Sequence, residues 1–187
     1  LGSFAEFVNL VLTKGYQMKI ILIGFMGSGK TSVAKALGEI LKLPVLEMDE
    51  LVYVKTQSKD MHEVFAKGGE LLLRETEIAI AKEYAAADNC IISTGGGVVL
   101  NKIILDYLKQ QGGKVFFLNA NLQVVMDRLA NDVSRPLLQD FVETKRLYYF
   151  RLPLYLEYAD EAIDVWKKSI EEITDEIYEI LFPDEER

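Results

Sequence analysis

A chain of 187 residues, half of them hydrophobic, can bury one substantial core, and its length fits a single domain. No apolar run approaches the roughly eighteen residues of a membrane span, and a lone cysteine, Cys90, excludes an internal disulfide and points to a reducing cytoplasm. A net charge of −8 argues against general nucleic-acid binding.

Residues 1–17 precede Met18, which abuts the first apolar run and reads as a natural start. They lack a basic beginning followed by a long apolar core, so no signal peptide is expected. They read as a native extension or an expression remnant, outside one domain over 18–187. Residues 19–23, Lys-Ile-Ile-Leu-Ile, are short, β-branched and apolar, as in a buried parallel strand. Next comes Gly-Phe-Met-Gly-Ser-Gly-Lys-Thr, Gly24 to Thr31, with the Gly-x-x-x-x-Gly-Lys-[Ser/Thr] spacing of a phosphate-binding P-loop. Val33, Ala36, Leu37, Ile40 and Leu41 then recur at helix spacing, so the loop lies between a strand and a helix. Successive N–H groups of such a loop point into one concavity, and the helix dipole adds to their pull on an anion. Gly27, Ser28, Gly29, Lys30, Thr31 and Ser32 are therefore the expected nucleotide contacts. Lys30 can reach the β- and γ-phosphates, and the Thr31 hydroxyl can serve Mg²⁺. The motif implies a nucleotide and leaves the acceptor open.

Residues 44–47 form a short second strand ending in Glu47-Met48-Asp49-Glu50. Ligands gather at the carboxyl ends of strands in open α/β sheets, so Asp49 and Glu47 are candidates; a solvated acidic turn is the alternative. Residues 50–87 read as helical, broken at Gly68-Gly69, with Leu71, Leu72, Ile78, Ala81 and Tyr84 as expected buried positions. Arg74 has Glu70 four residues before it and Glu77 three after, which by itself reads as a helical salt bridge. Residues 90–93 are a strand, with Cys90 as a small core residue. Gly95-Gly96-Gly97 follow soon after it, as a close approach of backbone to ligand or as a flexible turn.

A helix over 101–110 stops at Gly112-Gly113, and 114–118 make the fourth strand. Residues 122–130 are helical and carry Arg128. Helical periodicity fails over 131–144, which contains Arg135, and resumes near Glu143 into a helix carrying Arg151. The last strand is expected at 162–166 and the last helix at 170–181. Five strands alternating with helices predict a three-layer α/β fold: a parallel sheet with helices on both faces and the P-loop strand near its centre.

Taken together, these residues resemble shikimate kinase from about Met18 to Leu181. The resemblance rests on the P-loop, the Glu47-Met48-Asp49 acids, Phe65 with Gly69-Glu70, Arg74 and Glu77, the triple glycine, Arg135-Pro136-Leu137-Leu138, and the run from Arg151 to Asp160. It implies a P-loop kinase fold with a helical substrate-binding insertion at about 50–80 and a mobile lid at about 132–144. The implied activity is ATP-dependent phosphorylation of the shikimate 3-hydroxyl, in chorismate and aromatic amino-acid biosynthesis, by a cytoplasmic monomer with Mg²⁺. Asp49, Arg74, Gly95, Gly96, Gly97 and Arg151 would hold shikimate, the arginines by its carboxylate. Lys30, Asp49 and Arg135 would serve catalysis. Arg128 would pack on adenine and Arg135 would contact phosphates. Thr31 and, through water, Glu47 would hold the metal.

Three features depart from the family pattern. Glu47 stands where the family has aspartate, Leu73 replaces an aromatic residue before the substrate arginine, and the stretch between Leu138 and Arg151 is a few residues short. A gluconate-kinase-like enzyme and a non-catalytic ATP-binding regulator are the rival readings; neither accounts for the 151–160 run and the arginines together.

Overall fold

The computed structural model describes residues 18–129 and 141–183. In chain order these form β1 (Lys19–Ile23), α1 (Lys30–Leu41), β2 (Val45–Glu47), α2 (Met48–Thr56), α3 (Met61–Glu83), β3 (Cys90–Ser93), α4 (Lys102–Leu108), β4 (Lys114–Asn119), α5 (Leu122–Leu129), α6 (Phe141–Tyr158), β5 (Glu161–Asp164) and α7 (Ile170–Leu181). Arg135 and residues 132–140 of the expected lid segment lie outside the described residues.

The five strands form one sheet in the order β2-β3-β1-β4-β5, and every pairing is parallel. The expected central place of the P-loop strand is met: β1 lies between β3 and β4. Successive strand residues point to opposite faces, and all of Lys19–Ile23 is buried, so both faces of β1 are covered. One covering layer pairs α1 with α7, and another pairs α3 with α4. Cys90 is a buried core residue at the start of β3, as expected.

Lys19 is buried at the start of β1. Its Nζ donates to the carbonyl oxygens of Tyr84 at 3.3 Å, Ala85 at 2.8 Å and Gln110 at 3.0 Å. Burial lowers its pKa. The charge thus ties the first strand to the chain leaving α3 and the turn after α4.

The helical region 50–87 is divided into two helices before residue 61 rather than at Gly68-Gly69. Gln57 ends α2 in a left-handed conformation, and Asp60 caps α3 by accepting from the Glu63 N–H at 2.9 Å. The expected glycine break falls inside α3, where Gly69 has φ 64° and ψ −157°. Leu71, expected inside, is 69 % exposed. The buried stripe after the kink is Leu73, Thr76, Glu77, Ile80 and Ala81, and Leu71 sits two residues off it, on the far side of the helix. Two polar residues occupy core-facing positions there, which is why apolar spacing misplaced the stripe. Smaller shifts are the start of α6 at Phe141 rather than near Glu143, and β5 at Glu161–Asp164 rather than 162–166.

Candidate active site

The P-loop leaves β1 at Gly24, whose φ of 152° lies outside the range that side chains favour. A Cβ there would also stand 2.8 Å from both the Leu118 carbonyl oxygen and Ser28 Oγ, so only glycine fits. The loop ends at Gly29, the N-cap of α1, which carries no side-chain cap. The first N–H groups of α1 are thus left for a ligand. Lys30 is mostly buried and donates to the Gly24 and Phe25 carbonyl oxygens at 2.8 and 3.1 Å. The Ser28 side chain lies beneath the loop, its hydroxyl buried without a hydrogen-bond partner. Ser28 can therefore contribute its backbone to a ligand, but its hydroxyl faces inward.

A cleft of about 300 Å³ lies along the loop. Of the expected contacts, Gly27, Gly29, Lys30, Thr31 and Ser32 line it, and so do Glu47, Asp49, Gly96 and Arg128. Arg128 reaches across from the last turn of α5 and donates from Nη1 to the Gly27 carbonyl oxygen at 2.7 Å. Met26, Ser93 and Thr94 also line the cleft and were not anticipated. Ser93 and Thr94 end β3 just before the triple glycine, a strand-end position that could have flagged them.

At one wall Thr31 Oγ1 donates to Glu47 Oε2 at 3.1 Å, and Glu47 Oε1 is buried without a partner. A hydroxyl and a carboxylate with an unpaired oxygen are hard donors that suit Mg²⁺. Among the described residues no group of three His, Cys, Asp or Glu could hold a metal alone, so phosphate and water oxygens would have to supply the rest. Asp49 sits in the first turn of α2, two residues beyond the end of β2.

Arg74, Gly95, Gly97 and Arg151 do not line this cleft but gather beside it. The glycines let the backbone come close to protein side chains. A Cβ on Gly97 would collide with the Arg74 guanidinium, and one on Gly95 would stand 3.0 Å from both Asp49 Oδ1 and Glu77 Oε1. Arg74 does form the helical ion pairs, to Glu70 at 3.2 Å and Glu77 at 2.5 Å. Glu77 is 2 % exposed. Burial, chiefly, pushes its pKa up to about 7; Arg74 and Arg151 oppose the rise and Asp49 adds to it.

From α6, Arg151 is buried, donates from Nη1 to the Gly96 carbonyl oxygen at 3.2 Å, and lies 5.8 Å over the Phe25 ring. Its Nε is buried without a partner. Tyr148, at the preceding turn of α6, meets Phe25 edge-on at 5.5 Å. Helix α6 therefore touches both the P-loop and the triple glycine. From the sequence Glu77 reads only as an ion-pair partner of Arg74 within a family-like segment, and Tyr155 only as part of the 151–160 run. Their signal was spacing: each lies three or four residues beyond an expected ligand arginine, on the same helical face.

The sequence profile of the family described as shikimate kinase matches residues 26–182. A curated protein named shikimate kinase, from Thermodesulfovibrio yellowstonii, is 39% identical over 163 residues, covering 84% of this chain and 91% of that protein. Among solved structures, shikimate kinase from Acinetobacter baumannii in complex with shikimate matches with a TM-score of 0.84 at 27% identity, covering 96% of this chain and 99% of that one. Shikimate kinase from Aquifex aeolicus matches with a TM-score of 0.77 at 33% identity, covering 88% and 96%.

Proposed function

The chain belongs to the shikimate kinase family, and on that premise we propose that it transfers the γ-phosphoryl group of ATP to the 3-hydroxyl of shikimate. The products are shikimate 3-phosphate and ADP, on the route to chorismate and the aromatic amino acids. The observation that carries the reading is a single cleft joining Lys30 and the P-loop to Asp49 and Gly96, with Arg74 and Arg151 gathered beside it.

Phosphoryl transfer needs in-line positioning and charge neutralisation more than covalent chemistry. The α1 N-terminus and P-loop backbone hold the β- and γ-phosphates. Lys30 exchanges its loop carbonyls for phosphate oxygens. On the strength of the resemblance, Arg128 packs on the adenine and Arg135 joins the phosphate contacts. Arg74 and Arg151 grip the acceptor carboxylate, Asp49 orients the hydroxyl and accepts its proton, and the Gly95–Gly97 backbone lies against the ring. Thr31 and, through water, Glu47 would hold Mg²⁺, which when bound supplies positive charge to the phosphates. The acidic net charge and single cysteine support a cytoplasmic enzyme, a monomer, with ATP and shikimate rather than nucleic acid as its ligands.

A coupled assay of ADP release tests the reading, with ATP plus shikimate, ATP plus gluconate, and ATP alone. Release that depends on shikimate is expected. Release that depends on gluconate would assign a different acceptor, and no acceptor-dependent release would leave an ATP-binding module.

A further inference from the structure

The carbonyl oxygen of Gly96 accepts two hydrogen bonds from α6: one from Tyr155 Oη at 2.5 Å and one from Arg151 Nη1 at 3.2 Å. Gly96 itself lies against the P-loop, since a Cβ on it would stand 3.2 Å from the Met26 nitrogen. The two donors differ in freedom. Tyr155 is 1 % exposed and stacks on Phe117 with ring centroids 5.0 Å apart and planes 11° from parallel. Burial raises its pKa, Arg151 beside it opposes the rise, and the hydroxyl remains a proton donor. Arg151 has a donor to spare, since its Nε is without a partner among the described residues.

The proposed function asks this same guanidinium to turn toward a carboxylate. Doing so weakens its bond to Gly96, and a partly buried carbonyl left without a protein donor carries a cost. A second donor on that carbonyl removes the cost. We propose that Tyr155 is a positioning residue for the acceptor: its hydroxyl keeps the Gly96 carbonyl satisfied, so that Arg151 can commit to the shikimate carboxylate while the glycine backbone stays in place. The inference rests on the shikimate reading of the site.

Tyr155→Phe keeps the ring and its stack on Phe117 and removes only the donor. The full chain is assayed with ATP and either shikimate or shikimate methyl ester, which lacks the carboxylate charge. The expected result for Tyr155→Phe is a rise of up to about tenfold in KM for shikimate, the scale of leaving a partly buried acceptor unpaired. The kcat should stay within about twofold, and KM for ATP should not move. The ester should bind more weakly than shikimate to the wild type, yet serve the wild type and Tyr155→Phe equally. A general folding defect would instead lower kcat with both acceptors and leave each KM alone, which would overturn the proposal. So would an unchanged KM for shikimate, or an equal rise in KM for acid and ester. Wild-type protein that fails to phosphorylate shikimate would bring down the functional reading and this inference together; an active wild type matched by Tyr155→Phe would bring down this inference alone.

Discussion

Asp49 and Glu77 face the same glycine from two different helices: a Cβ on Gly95 would stand 3.0 Å from a carboxylate oxygen of each. The triple glycine thus lets two acids converge beside Arg74. Burial is the main cause of the rise in the Glu77 pKa to about 7, and the Asp49 charge adds to it.

That rise makes Glu77 a pH-dependent cost to the fold. Its carboxyl takes a proton more readily folded, near pH 7, than unfolded, near the ordinary 4.5. The folded state therefore binds more protons, and Glu77's contribution is full below about pH 4.5 and is lost as pH rises through about 7. Glu77→Gln does not titrate. Urea unfolding across this window should show the wild type losing stability relative to Glu77→Gln with rising pH, by up to about 3 kcal/mol. A constant difference between the two proteins would contradict the assignment.

Arg74→Lys keeps the charge and discards the planar fork. The fork now spans Glu70 and Glu77 and packs against Gly97; an ammonium cannot hold two partners and a carboxylate ligand in that geometry. The expected outcome is weaker shikimate binding by at least about tenfold, with ATP affinity nearly intact. Calorimetric titration with each ligand separates this from a folding defect, which would reduce both affinities.

Lys30→Ala removes the cation that the P-loop holds between the Gly24 and Phe25 carbonyls. Turnover should fall by about two orders of magnitude or more, since the lost charge acts where transition-state charge develops. Steady-state kinetics at saturating shikimate checks this, and wild-type turnover would count against the phosphate site.

The strands and the P-loop were legible because local rules fix them: β-branched runs, glycine spacing and the strand–loop–helix order all agree around Gly24–Thr31. Less legible was α3. Its buried stripe includes Thr76 and Glu77 among the core residues Leu73, Ile80 and Ala81, and hydrophobic spacing cannot register a polar residue in a buried position. Lys19 misleads in the same way. Nothing in the sequence around it announces three carbonyl acceptors, two of them about 65 residues away and the third about 91. Tyr155 was hidden for a related reason, since its partner is a main-chain atom of Gly96, brought to it only by tertiary packing.

The proposed function puts the acceptor chemistry on Asp49. It lines the cleft with Lys30 and Thr31 on one side and Gly96 on another, and its Oδ1 faces Gly95. A carboxylate so placed can accept a hydrogen bond from the acceptor hydroxyl, aim its oxygen at the γ-phosphate and take up its proton. Asp49→Asn is nearly isosteric but is a poor base. We predict that it folds and binds ATP normally, binds shikimate more weakly, and loses about two or more orders of magnitude in transfer, through lost positioning and lost general-base help. Glu47→Gln provides the contrast. Glu47 touches Thr31 rather than the glycine loop, so its loss should act through Mg²⁺, and raising Mg²⁺ should recover part of its activity. Raising Mg²⁺ should do nothing for Asp49→Asn. Kinetics of both variants across a Mg²⁺ series decide the matter: near-wild-type transfer by Asp49→Asn would make Asp49 a structural acid, and rescue of Asp49→Asn by metal would move it from the acceptor to the phosphates.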